Sequence, residues 1–238
     1  MKRTKNWICM AMCLLLVLLA GSAQAATLSV SGTATVTAAP DQALVQLGVR
    51  EIRDDVTQAQ AKVNEKINAI LDALEKNEEY PIAAKDITTQ SYNIYPRYRY
   101  NEGEQIPNGY EAVCMLSVVV RDVDRVGKVI DAAFAAGANT IDYIEFRLED
   151  ATLVNDQALT KAFEHALHKA QLLAEASGID LSACELNLDA NTDSSGWYAR
   201  SQNALYAMAD EDAAGDTTVR GGQLSFTATV NLTYSDNK

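Results

Sequence analysis

"SVSGTATVTAAPDQALVQLGV", residues 29–49, alternates almost without interruption. Leu28, Val30, Gly32, Ala34 and Val36 are apolar or small, and Ser or Thr fills most positions between them. Strand side chains point alternately to opposite faces, so a period of two predicts a half-buried strand. Ala39-Pro40-Asp41 then signals a turn, because proline presets one backbone angle and aspartate bonds nearby backbone. Ala43, Val45, Leu47 and Val49 resume the alternation, so the two strands read as a hairpin. Gly32 and Ala34 occupy inward positions where valine or isoleucine is usual, which predicts a helix lying unusually close.

The segment that follows supplies a candidate for that helix. Asp54 or Asp55 caps its start, and Val56, Val63, Ile67, Ile70, Leu71 and Leu74 form an apolar stripe at helical spacing. Residues 86–99 and Gly109–Arg121 then read as strands, and Asp122–Ala136 as a helix stopped by Gly137. A strand-strand-helix unit therefore occurs twice in outline, without residue-level repetition. Ile144, Phe146 and Leu148 mark another strand. Leu159, Phe163, Ala166, Ala170 and Leu173 mark a long helix ending near Gly178, and Cys184, Leu186 and Leu188 a strand after it. The last strand alternates from Leu224 to Tyr234. Mixed strands and helices with several hairpins predict an α+β fold, with helices on one face of largely antiparallel sheets.

The chain opens with Lys2, Arg3 and Lys5, continues through an apolar run from Trp7 to Ala20, and reaches Ala23-Gln24-Ala25. That tripartite pattern predicts a signal peptide over residues 1–25. No cysteine follows the apolar run to carry a lipid, and no later segment is apolar for long enough to span a bilayer. Cleavage removes three of 20 cations and none of 32 acids, moving the net charge from −12 to −15. Phosphate binding needs a positive field, so nucleic acid is excluded as an expected partner. Cys114 and Cys184 remain after cleavage, and exported cysteines fit either a disulfide or two separately buried thiols.

Two stretches lose all period. Residues 91–110, "SYNIYPRYRYNEGEQIPNGY", hold Tyr92, Tyr95, Tyr98, Tyr100 and Tyr110, half of the ten tyrosines. Residues 191–218 include Trp197, Tyr198 and an acidic segment, and a loop this long is usually functional or disordered. Exposed aromatics bring large contact area with few rotatable bonds, so these seven residues are the candidate interaction residues.

Four segments carry a resemblance in order across nearly all of the mature chain: "VSGTATVTAAPDQALVQLGV", "YNIYPRYRY" followed by "GYEA", "VRDVDRVGKVIDAAFAAGAN", and "LSFTATVNLTY". They resemble the SIMPL-domain family of exported bacterial envelope proteins, of the periplasmic-immunogenic and oxidative-stress-defence type. The resemblance implies two interleaved small domains of two-layer sandwiches. The outer domain takes residues 26–82 plus 182–238, and the central domain residues 83–181. It also implies a tendency to form homo-oligomers and no established enzyme activity. The loop after Leu188 departs from the family, whose members often carry prolines there.

Candidate chemistry is sparse. His165 and His168 lie one turn apart, but a zinc site needs three or four ligands and the chain has only these two histidines. Asp210, Glu211, Asp212 and Asp216 lack the spacing of a calcium loop. No G-x-S-x-G elbow is present, neither cysteine has an evident activating base, and Gly221-Gly222 precedes a strand instead of a helix. No catalytic, cofactor or metal residue is therefore expected. The sequence favours a non-enzymatic envelope protein acting through self-assembly. A ligand- or protein-binding module built on residues 91–110, with an envelope protein as possible partner, is the alternative, and an undetected hydrolase or redox enzyme the third class. Mass spectrometry of the extracytoplasmic protein is expected to find Ala26 as the first residue, and an intact Met1 on that material would refute the leader.

Overall fold

The computed structural model describes residues 27–101, 103–193, 199–200 and 217–236. Among them are strands β1 (Thr27–Ala38), β2 (Gln42–Arg53), β3 (Ile87–Asn101), β4 (Glu104–Val120), β5 (Thr140–Arg147), β6 (Cys184–Asp193), β7 (Ala199–Arg200) and β8 (Leu224–Asp236). Helices are α1 (Val56–Glu75), α2 (Val126–Ala135) and α3 (Thr152–Ser177). The strands form two antiparallel sheets, ordered β1-β8-β6 and β3-β4-β2-β5-β7. The fold is α+β, as the patterning predicts.

The opening hairpin is not formed. β1 belongs to the three-stranded sheet, whereas β2 lies between β4 and β5 in the other. Alternation shows which residues face inward, but not which strand will be the neighbour. Side-chain bonds Ser29–Thr233 (3.2 Å), Thr33–Thr229 (3.4 Å) and Thr35–Thr227 (3.0 Å) mark the antiparallel register of β1 on β8. Asp41 turns the chain away toward β5: its N–H donates to the Arg147 carbonyl (3.2 Å), and its carboxylate accepts from the Glu149 N–H (2.8 Å).

The chain divides into two compact units, and the division falls within β1 after Ala34, within α3 after Ala158 and within β8 after Ala228. One unit holds residues 27–34, 159–191 and 229–236; the other holds the described parts of 35–158 and 192–228. α1 groups with β2, β4 and α2, because its apolar stripe is buried in their core.

In the larger unit, the Asp55 carboxylate caps α1 by accepting from the Thr57 and Gln58 N–H groups. Ala59, Val63, Ile67, Ile70 and Leu74 are buried on its inner face. They pack with Ala43, Val45, Leu47 and Val49 of β2, Cys114, Leu116 and Val118 of β4, and Val129, Ile130 and Ala133 of α2. Burying each large side chain contributes about 1.5–3 kcal/mol, so this single-face core dominates the unit's stability. Gly137 ends α2 at φ 114°, a left-handed conformation that glycine adopts without a Cβ clash. The start of β3 is tied to the end of β4 by Arg121, whose Nε and Nη2 donate to the two carboxylate oxygens of Asp86 at 3.2 and 3.0 Å.

In the smaller unit, the close approach expected at Gly32 is present, but the helix is α3, not the α1 that follows in sequence. A Cβ on Gly32 would collide with the Ala162 carbonyl oxygen and lie 2.8 Å from the Ala166 Cβ. Ala162, Ala166, Ala170 and Ala174, spaced by four, form the buried face of this part of α3. Leu173, expected in that stripe, is exposed, because the short alanines alone bring the helix onto the strand.

Gly32→Val is expected to destabilise the protein by about 1–3 kcal/mol through overpacking, and an unchanged denaturation midpoint would refute the contact. A pH effect follows from Asp86, whose carboxyl the Arg121 hydrogen bonds hold below the ordinary carboxylate range. A depressed folded-state value contributes stability that is complete above the unfolded value near pH ~4 and is lost as pH falls through the folded one. Asp86→Asn is therefore expected to lower stability by about 1 kcal/mol at neutral pH, a gap that closes in acid; unfolding curves from pH 7 downward test this.

Candidate interaction surface

β3 and β4 form a long hairpin whose far end leaves the sheet behind. The last pairing of β2 with β4 is Arg53 to Tyr110, whereas β3 and β4 continue through Tyr98–Pro107, Tyr100–Gln105 and Asn101–Glu104. Beyond Tyr110 the hairpin is therefore a two-stranded arm. Two-stranded ribbons are at best marginal in water without a third strand or a covering helix.

The base of the arm is built to bend. Pro96 stands opposite Tyr110 and Tyr98 opposite Pro107, so Asn108 and Gly109 together face Arg97 as a bulge in β4. Gly109 has φ 80°, and a Cβ there would lie 2.6 Å from the Arg53 carbonyl oxygen, so the bulge requires glycine. Glu111 braces the base, paired to Arg50 and 3.7 Å from Arg97 Nε. A cavity of about 400 Å³ opens here, lined by Pro96, Tyr98, Pro107 and Tyr110 with Asp54 and Arg97.

The five tyrosines of this stretch separate by position. Tyr92, 40% exposed, lies opposite Cys114, and its hydroxyl donates to Asn64 Oδ1 of α1 at 3.0 Å. Burial pushes the Tyr92 phenol up, with the Cys114 thiol adding to the shift. Tyr110 is half-buried at the base of the arm. Tyr95, Tyr98 and Tyr100 are 53, 48 and 76% exposed. Tyr98 and Tyr100 share one face of the arm, with Arg99 on the other. Trp197 and Tyr198 lie outside the described residues.

The remaining candidates have structural settings. His165 is exposed, and its Nδ1 donates to the Thr33 carbonyl at 3.0 Å; Lys169 Nζ donates to the Ser31 carbonyl at 2.8 Å. Among the described residues no three His, Cys, Asp or Glu converge as metal ligands. Asp210, Glu211, Asp212 and Asp216 fall outside the described residues. Cys114 is buried and Cys184 half-buried, both as free thiols, and burial pushes the Cys114 thiol up, away from the reactive thiolate. A second cavity of about 470 Å³ beside Tyr80 and Ile82 contains Arg121 and Arg125. Both guanidiniums are engaged there, Arg121 with Asp86 and Glu149, Arg125 with Asp122 and the Glu79 carbonyl.

One anchoring contact escaped sequence reading. Gly127 of α2 lies against the Thr217 carbonyl with no room for a Cβ, and Asp131, one turn on, accepts from the Thr217 N–H at 3.0 Å. A glycine inside a helix was the available signal, since it costs about 1 kcal/mol against alanine and calls for a packing reason.

Comparison with known proteins places this architecture. Residues 28–234 match the SIMPL family, described as a protein of unknown function (DUF541). The chain is 33% identical over 144 residues to the uncharacterized protein YggE of Escherichia coli, covering 60% of this chain and 57% of that one. It is 31% identical over 163 residues to the 26 kDa periplasmic immunogenic protein of Brucella melitensis, covering 66% and 64%. YggE of Edwardsiella ictaluri is 30% identical over 152 residues, covering 63% and 62%. The matched region thus spans less than two thirds of each relative's length. No helix among the described residues is long and apolar enough to cross a membrane. With the family pattern running from the first described strand through the last, the chain belongs to the SIMPL (DUF541) family.

Proposed function

We propose that this protein is an exported envelope protein that acts by self-assembly, with the β3–β4 arm as its contact element. The observation that carries this reading is the arm itself: a ribbon extending past the end of β2 and presenting Tyr98 and Tyr100 to solvent, with the exposed Tyr95 just before its base. Aromatic side chains held on paired strands lose little entropy when they bind, and central aromatics dominate many interfaces. Export agrees with the cationic, apolar leader and with the periplasmic relative in Brucella. Nothing in this reading calls for catalysis, a cofactor or nucleic acid. A part in envelope or oxidative-stress defence would be indirect, since the Cys114 thiol is buried and its pKa raised.

One observation favours a second reading, a binding module for a ligand or an envelope protein. The cavity of about 400 Å³ at the base of the arm combines Tyr98, Tyr110, Pro96 and Pro107 with Asp54, Arg97 and Asn108, a lining suited to an aromatic group that carries polar substituents.

Light scattering separates the two. Truncating a central interface aromatic commonly costs about 2 kcal/mol or more. Replacing Tyr95, Tyr98 and Tyr100 by serine is therefore expected to lower the mass of the assembly while circular dichroism stays unchanged. Added salt should partly restore the mass by screening repulsion between acidic copies. A triple variant with wild-type mass would remove the arm from assembly and advance the binding-module reading.

A further inference from the structure

We infer that the arm of one copy docks on strand β6 of another, adding to the open edge of the three-stranded sheet. This inference rests on the self-assembly reading and names the surface that receives the arm. Among the described residues four strands lie at sheet edges: β1 and β6 in one sheet, β3 and β7 in the other. An edge strand presents unpaired N–H and C=O groups and is a template for another strand unless blocked. β1 is blocked, because Lys169 and His165 occupy the carbonyls of Ser31 and Thr33. β7 is described at Ala199 and Arg200 alone and offers no long edge among the described residues. β3 and β6 are the long edges that remain.

β6 has the character of a strand missing its cover. Residues 185–191 are all exposed although the strand is part of a sheet. Leu186 and Leu188, on one face, are 46 and 50% exposed. Asn187 and Asp189 lie on the other face. The arm carries the complementary pattern at the same period: Tyr98 and Tyr100 on one face, Arg99 on the other. In the register that sets Tyr98 and Tyr100 on Leu186 and Leu188, Arg99 stands opposite Asn187 with the Asp189 carboxylate diagonal to it, within reach of a long side chain. An arm meeting an identical arm would instead bring Arg99 toward Arg99.

Charge complementarity thus selects a second copy as the occupant and a heterologous contact as its geometry, since arm and β6 are different surfaces. Such contacts close into rings when the rotation permits and otherwise propagate. Strand addition gives affinity through backbone hydrogen bonds, and alternating side chains set the register.

Two variants of the mature chain test this by light scattering: an arm variant, Tyr98→Ser/Arg99→Glu, and an edge variant, Leu186→Ser/Leu188→Ser/Asp189→Arg. Each alone is expected to fall to the mass of one chain. Their equimolar mixture is expected to form pairs, because one intact edge and one intact arm survive. An edge variant that keeps the wild-type mass overturns the inference and leaves self-assembly standing. A mixture that stays at single-chain mass also overturns it, because an intact arm and an intact edge then fail to pair. A wild-type protein of single-chain mass overturns self-assembly together with the inference. Should the edge variant lose its circular dichroism signal, hydrogen exchange on the wild type replaces it. Residues 185–191 are then expected to lose protection as the assembly is diluted apart, and protection independent of concentration overturns the docking.

Discussion

The contact between Gly32 of β1 and the Ala162–Ala166 turn of α3 governs the smaller unit. With no Cβ on the strand and one methyl group per turn on the helix, the backbones meet at a distance that larger side chains would forbid. Close packing of this kind replaces side-chain bulk with backbone dispersion contacts and depends on both partners staying small. It also limits reach. A helix face made of alanine covers what lies directly beneath it and nothing beyond, and β6, the far strand of the sheet, is left with exposed leucines.

The larger unit solves its packing differently. β2 is flanked on both sides, and its inward residues are fully buried beneath α1 and α2. The long side chains of that core span the sheet where alanine does not. The same sheet has its own excess, since β3 and β4 run on after β2 has ended. Within this family architecture, the exposed leucines of β6 and the overhang of β3 and β4 are the two features on which the proposed assembly rests.

Polar groups reinforce this division without creating a site. Lys169 and His165 donate to the β1 edge and Arg121 to Asp86 and Glu149, while Asp131 accepts from Thr217. Each links segments far apart in sequence, and each satisfies backbone or carboxylate groups that would otherwise be solvated or unpaired.

The sequence by itself determined the elements. Period-two alternation located β1, β2 and β8, the stripe from Val63 to Leu74 located α1, and Asp55 and Gly137 marked helix ends, because these signals are local and act within a few residues. The small side chains at 32 and 34 also announced a close helix. Tertiary structure decided which one it was, and decided that β1 and β2 part into different sheets, since one inward face fits any apolar partner of suitable size. The tyrosine cluster was legible as composition, yet its division into Tyr92 bonded to Asn64 and Tyr98 and Tyr100 held out on an arm was not. That division depends on where β2 stops and on a bulge at Asn108–Gly109, which are properties of strand register across residues far apart in the chain.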